Sequence, residues 1–82
     1  MTIEQLVPLT NGLSVSACRQ TLALDRARIS RVSDRFVDVS FRIAGTDVAP
    51  RVRLPRRWLA SSSIDDLARA FRHVAARAMC GE

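Results

Sequence analysis

Lysine and tyrosine are both missing from this 82-residue chain, and aromatic residues make up only 5% of it, as three Phe and one Trp. All 13 basic side chains are therefore Arg. So few rings argue against single-stranded nucleic-acid recognition, which depends on exposed aromatic platforms for base stacking. Glycine and proline number three each, which excludes collagen-like and low-complexity classes. Two cysteines are fewer than a small disulfide-built secreted scaffold carries. No apolar run approaches the ~18 residues of a membrane span. The first ten residues hold Glu4, no basic residue and no apolar stretch long enough for a secretory signal. The expectation is a cytoplasmic protein with no membrane contact.

Catalytic chemistry is also thinly supplied. The one histidine, His73, shares its helical face with Arg69 and Arg77 and reads as a surface residue. No Ser-His-Asp grouping, Gly-rich phosphate loop or paired-carboxylate site is visible. His73 and Cys80 lie two helical turns apart, but two ligands without a third make weak evidence for zinc. The expectation is therefore a non-enzyme with no cofactor and no metal. Cys18 and Cys80 are expected as reduced thiols, as is usual in a cytoplasmic protein. A Cys18–Cys80 bridge, or an intermolecular one through Cys80, is the alternative.

The chain that remains is ordinary for a globular protein: 48% hydrophobic, 26% charged, with a mean hydropathy near zero. That excludes intrinsic disorder, and the length fits one domain spanning residues 1–82. The clearest element is C-terminal. Ile64, Leu67, Ala68, Phe71, Val74, Ala75, Ala78 and Met79 recur at three- and four-residue steps, predicting a helix over 64–79. Ser63 and Asp66 have capping-box spacing, and Gly81 offers a stop. Asp65 and Asp66 suit the positive end of the helix dipole.

The middle reads as strands. Val37, Val39, Phe41 and Ile43 alternate with polar residues, as do Val48, Pro50, Val52 and Leu54. The turn Ala44-Gly45-Thr46-Asp47 joins them. Pairing Ile43 with Val48 sets Val39 opposite Val52 and Val37 opposite Leu54, so every apolar residue falls on one face. Pro50 lacks an amide hydrogen, which points its strand to the sheet edge. An earlier strand, about 26–32, joins through Ser33-Asp34-Arg35 and sets Ile29 beside Val39. It also places Arg31 on the apolar face, a conflict resolved either by snorkelling at the rim or by a bulge that resets the parity. Leu22 and Leu24 have the opposite parity to Ile29, so a break is expected near Asp25. The first 20 residues favour a short helix stopped by Pro8 and then a strand, although Asn11-Gly12 is also a hairpin signal. Together these give an α+β domain. A three- to four-stranded antiparallel meander occupies about 13–54 and a connecting segment 55–63, and the helix 64–79 packs on one face of the sheet.

The charge is unevenly spread. Residues 19–60 hold ten Arg against four Asp, whereas 61–82 balance and 1–18 carry only Glu4. Part of the preference for Arg over Lys can be laid to GC-rich coding, but the net charge of +5 remains. On the polar face of the predicted sheet lie Arg26, Arg28, Arg42, Arg51 and Arg53, with Asp38 opposite Arg53 and Ser40 between Arg28 and Arg51. Guanidinium forks match phosphate oxygens, so these five residues are candidate nucleic-acid contacts, with double-stranded nucleic acid favoured over single-stranded. Arg56, Arg57 and Trp58 follow the last strand as a candidate basic-aromatic clamp. The competing view is a solvated face with cross-strand ion pairs, and a Trp58 that caps the core. The second functional reading is a protein-interaction module, an adaptor, inhibitor or small subunit, that meets an acidic protein or forms a homodimer.

With its N-terminal helix, the predicted element order resembles the α-β-β-β-α order of double-stranded-RNA-binding domains. Those domains open their last helix with a basic cluster, where this chain has Asp65 and Asp66. Arg31-x-x-x-Arg35 with Asp38-x-Ser40 resembles the cyclic-dinucleotide signature of PilZ domains. Here the two motifs stand closer together, and Gly45 follows the Ser later than the family's glycine does, so the match reads as coincidence.

Overall fold

The computed structural model describes residues 2–80, so Gly81 as a helix stop lies outside the described residues. A single 3₁₀ turn, Ile3–Gln5, leads into α1, Leu6–Asn11. Pro8 does not end this helix. It sits in the first turn, where the amide it lacks would have no intrahelical acceptor. Gly12 closes α1, so Asn11-Gly12 caps a helix and does not turn a hairpin.

Four strands follow in sequence order as one antiparallel meander curled into a half-barrel: β1 Ser14–Ala17, β2 Gln20–Val32, β3 Phe36–Ile43 and β4 Arg51–Pro55. The predicted β3–β4 register holds, and of the β2–β3 register the Ile29–Val39 pair holds, whereas Val32 faces Val37 and not Phe36 because of a shift between Ile29 and Arg31. Val37 faces Leu54, Val39 faces Val52, and Ile29 faces Val39. Two hydrogen bonds extend the β3–β4 ladder into the turn, from Phe41 N–H to the Pro50 carbonyl and from Ile43 N–H to the Val48 carbonyl. Pro50 therefore contributes only its acceptor, and β4 is an edge strand. Gly45 takes the left-handed conformation the turn requires, at φ 81°.

β2 is one long strand with two irregularities, and they explain its mixed parity. The first lies between Asp25 and Arg28, where Arg26 has φ 53°. It follows shortly after the change of partner from β1, paired through Ala23, to β3, paired from Leu24, and there the Ala27 amide is taken by the Asn11 side chain at 3.0 Å. The second lies between Ile29 and Arg31. Ser30 is the extra residue, and it bonds the Asp38 carbonyl through its hydroxyl. One added residue inverts the side-chain alternation, so Ile29 packs inward and Arg31 comes to stand opposite Asp38.

Two helices complete the chain. Arg56–Ser61 forms a short α2, where sequence gave only a connecting segment. α3 runs Ile64–Cys80, with Ser63 and Asp66 exchanging the predicted capping-box bonds. Its apolar stripe of Leu67, Ala68, Phe71 and Ala75 packs on the inner face of the sheet. Phe71 meets Phe41 edge to face at 5.8 Å, an arrangement worth about 1 kcal/mol beyond burial. With a helix before four strands and two helices after them, the element order departs from the α-β-β-β-α order seen in the sequence.

The expected free thiols are paired instead. Cys18, in the β1–β2 turn, is bonded to Cys80 at the end of α3, with Cα atoms 5.9 Å apart. Sequence spacing could not show this. The two residues meet only because α3 crosses back over β1, where the Arg72 guanidinium also reaches the Ser14 carbonyl.

Candidate anion-binding face

The outer face of the sheet is built from three cross-strand rows. The first is Arg31, Asp38 and Arg53, the second Arg28, Ser40 and Arg51, and the third Asp25 and Arg42. Alternation along β3 and β4 puts these side chains opposite the core, and the bulge at Ser30 brings Arg31 into line with them.

Two of the five arginines are engaged. Arg42 donates from Nε and Nη2 to the two carboxylate oxygens of Asp25, both at 3.2 Å. Arg53 grips Asp38 the same way, at 2.9 and 3.3 Å. Asp38 is only 2% exposed although it lies on the outer face, and both its carboxylate oxygens are held by Arg53. The hydrogen bonds from Arg53 hold the Asp38 carboxyl below the usual carboxylate range against the opposing pull of burial, and the charges of Arg53, Arg51 and Arg31 add to that. The guanidinium of Arg53 also lies over the Phe36 ring, 5.2 Å from its centroid.

The other three are free. Arg28, Arg31 and Arg51 are exposed, and among the described residues their guanidinium groups make no hydrogen bond or ion pair. At the β2–β3 turn the face ends in a cleft of about 140 Å³ lined by Arg31, Ser33, Phe36, Asp38 and Arg53. Across Phe36 a wider, open depression is lined by Asp34, Arg35, Pro55, Arg56 and Arg57.

The sequence-picked residues divide accordingly. Arg28, Arg42, Arg51 and Arg53 share the outer face. Arg26 is exposed at the first bulge, outside the ladder. Arg56 is tied to the β2–β3 turn through its Nη1 to the Ser33 carbonyl and its amide to the Arg35 carbonyl, and Arg57 lies beside it. Trp58 does not cap the core. Leu59 takes that place, and Trp58, 40% exposed, lines a shallow groove with Asp66, Arg69 and His73 between α2 and α3. The structure thus does not bring Trp58 to the sheet face. Arg31, Ser33 and Arg35 were not among the nucleic-acid candidates, and Arg31 and Arg35 entered only through the PilZ-like pattern that reads as coincidence. The available signal was the parity conflict at Arg31, because a charged residue on an apolar register marks a bulge or a rim.

Among the described residues no three or more His, Cys, Asp or Glu side chains come together to hold a metal ion. No helix among the described residues is long and apolar enough to cross a membrane. Comparison of the chain with protein families, curated proteins and solved structures finds no match.

Proposed function

We propose that the chain is a small non-enzymatic module that binds nucleic-acid phosphates, double-stranded in preference to single-stranded, through the outer face of its sheet. The observation that carries this reading is the trio Arg28, Arg31 and Arg51. Three unpaired guanidinium groups occupy adjacent rows of one face, although Asp38 stands in the row of Arg31 and Asp25 in the row next to that of Arg28 and Arg51. An arrangement serving only fold stability would pair them. Phosphate neutralisation by such groups supplies sequence-independent affinity that falls with salt. The scarcity of exposed rings weighs against base stacking as the main source of affinity.

A cytoplasmic setting belongs to this reading, since nucleic acid is met there. The Cys18–Cys80 bridge lies at the far end of β2 from Arg31, so the face does not depend on it.

The test is fluorescence anisotropy with labelled duplex DNA, duplex RNA and single-stranded DNA across a salt series. The expected result is binding to duplexes that weakens steeply with salt and is lost in the Arg28→Ala, Arg31→Ala, Arg51→Ala triple variant. Failure of every nucleic acid to bind at low salt removes the proposal.

An acidic protein partner is the competing reading. The open β4 edge favours it, because an added strand there would lie beside Arg51 and Arg53. Self-pairing of β4 across a two-fold axis would set these two arginines against their own copies, so the edge disfavours a homodimer.

A further inference from the structure

The outer face holds one arginine whose geometry is fixed before any ligand arrives. Arg53 is gripped at two nitrogens by Asp38 and covered by the Phe36 ring. Its Nη1 has no partner among the described residues. Asp38 is 2% exposed, and both its oxygens are occupied by Arg53. It therefore serves as an internal counterion and not as a carboxylate offered to solvent. Beside this fixed guanidinium lie the free guanidinium of Arg31 and the hydroxyl of Ser33, around a cleft the size of one small anion. Ser33 is itself set by the turn: its Oγ accepts from the amides of Arg35 and Phe36 at 3.3 and 3.1 Å, and its hydroxyl donates to the Phe36 carbonyl in a long 3.4 Å bond that an anion would replace. A flexible arginine loses rotamer freedom when it binds. One already held loses little, so its contacts count more fully toward affinity.

We infer that the cleft bounded by Arg31, Ser33, Phe36 and Arg53 is a phosphate seat, and that Asp38 is the positioning residue that aims Arg53 into it. This rests on the phosphate-binding reading of the face and deepens it, since it names where one phosphate group sits and why a buried acid belongs in a basic site. The seat accepts the tetrahedral dianion or diester oxygen set, whether it comes from a nucleic-acid backbone or from free phosphate.

Asp38→Asn separates positioning from diffuse charge, because the two predict opposite signs. The substitution makes the face one unit more positive. A face acting only through net charge would bind duplex more tightly and with a steeper salt dependence. A seat that needs Arg53 fixed would bind more weakly, by a factor on the order of ten for a displaced charge-assisted pair of bonds.

The experiment titrates wild type, Asp38→Asn and Phe36→Leu with a short duplex DNA and, separately, with inorganic phosphate. Binding is followed by anisotropy and by the NMR signal of the Arg53 Nε–H. Phe36→Leu leaves every charge in place on an exposed position, so it reports on the seat even if Asp38→Asn fails to fold. The expected result is weaker duplex binding for both variants, and a wild-type Arg53 Nε–H that shifts with both ligands and does not in Asp38→Asn. Duplex binding that is unchanged or tighter in the variants overturns the seat while leaving the face reading intact. Phosphate that shifts Arg53 in a chain binding no duplex upholds the seat and overturns the nucleic-acid reading. An Arg53 signal that responds to duplex but not to inorganic phosphate restricts the seat to backbone phosphates and still supports it. A signal that responds to neither overturns it.

Discussion

Arg53 on β4 holds both carboxylate oxygens of Asp38 on β3, and the acid so held is almost wholly covered although it lies on the outer face of the sheet. The pair joins the edge strand to its neighbour and sets its own pH dependence. The folded-state carboxyl lies below its ordinary value, so the unfolded chain takes up the proton first as pH falls. The stability from the pair is complete above the ordinary carboxylate pKa and is lost as pH drops through the lowered folded value. Wild type should therefore melt above Asp38→Asn at neutral pH, with the gap closing below about pH 4. Circular-dichroism melts of both proteins across the acid range check this, and a gap independent of pH would contradict it.

Charge position, not charge number, should govern binding. Arg51→Ala and Arg77→Ala each remove one unit, but Arg51 stands on the outer face and Arg77 in the last turn of α3, on the other side of the sheet. Arg51→Ala should weaken duplex binding and lower the logarithmic salt slope by about one. Arg77→Ala should leave both nearly unchanged. Equal effects would mean that the protein binds through its overall charge.

The Cys18–Cys80 bond closes a 62-residue separation. On chain-entropy reasoning such a loop stabilises the fold by about 4 kcal/mol. Thiol titration of the protein, unfolded without reductant, should find no free thiol. Reductant should expose two thiols and lower the urea midpoint substantially. Two thiols before reduction would show that the bond had not formed.

Trp58 is the one tryptophan and is partly exposed in the groove that Asp66, Arg69 and His73 also line. Its native emission should lie toward the solvent-exposed end. Caesium is drawn to Asp66 and iodide to Arg69, so Arg69→Ala should lower quenching by iodide relative to caesium. Blue-shifted emission resistant to both ions would place the ring in the core.

The bend in β2 rests on two residues far apart in sequence. Asn11→Ala leaves the Ala27 amide without its acceptor and should cost about 1 kcal/mol in urea denaturation. Arg26→Gly relieves the left-handed backbone at φ 53° and should raise the midpoint.

The amino-acid sequence alone determined what depends on local periodicity. The 64–79 stripe predicted α3 to within a residue. Alternation in β3 and β4 fixed their register, because a slip by one would turn Val37, Val39, Phe41 and Ile43 out to water. From that register followed the opposition of Asp38 to Arg53 and the place of Ser40 between Arg28 and Arg51. Sequence also marked the trouble spots, near Asp25 and at Arg31, without resolving them. Only the tertiary structure decided the rest. It made Ser30 the bulge that turns Arg31 outward, exposed Trp58 and buried Leu59, and brought Cys18 to Cys80. Each of these turns on where the chain packs after its elements form. Periodicity records which face of an element is apolar, but it carries no information about a contact made 62 residues away or about which of two neighbouring apolar residues the core has room to take.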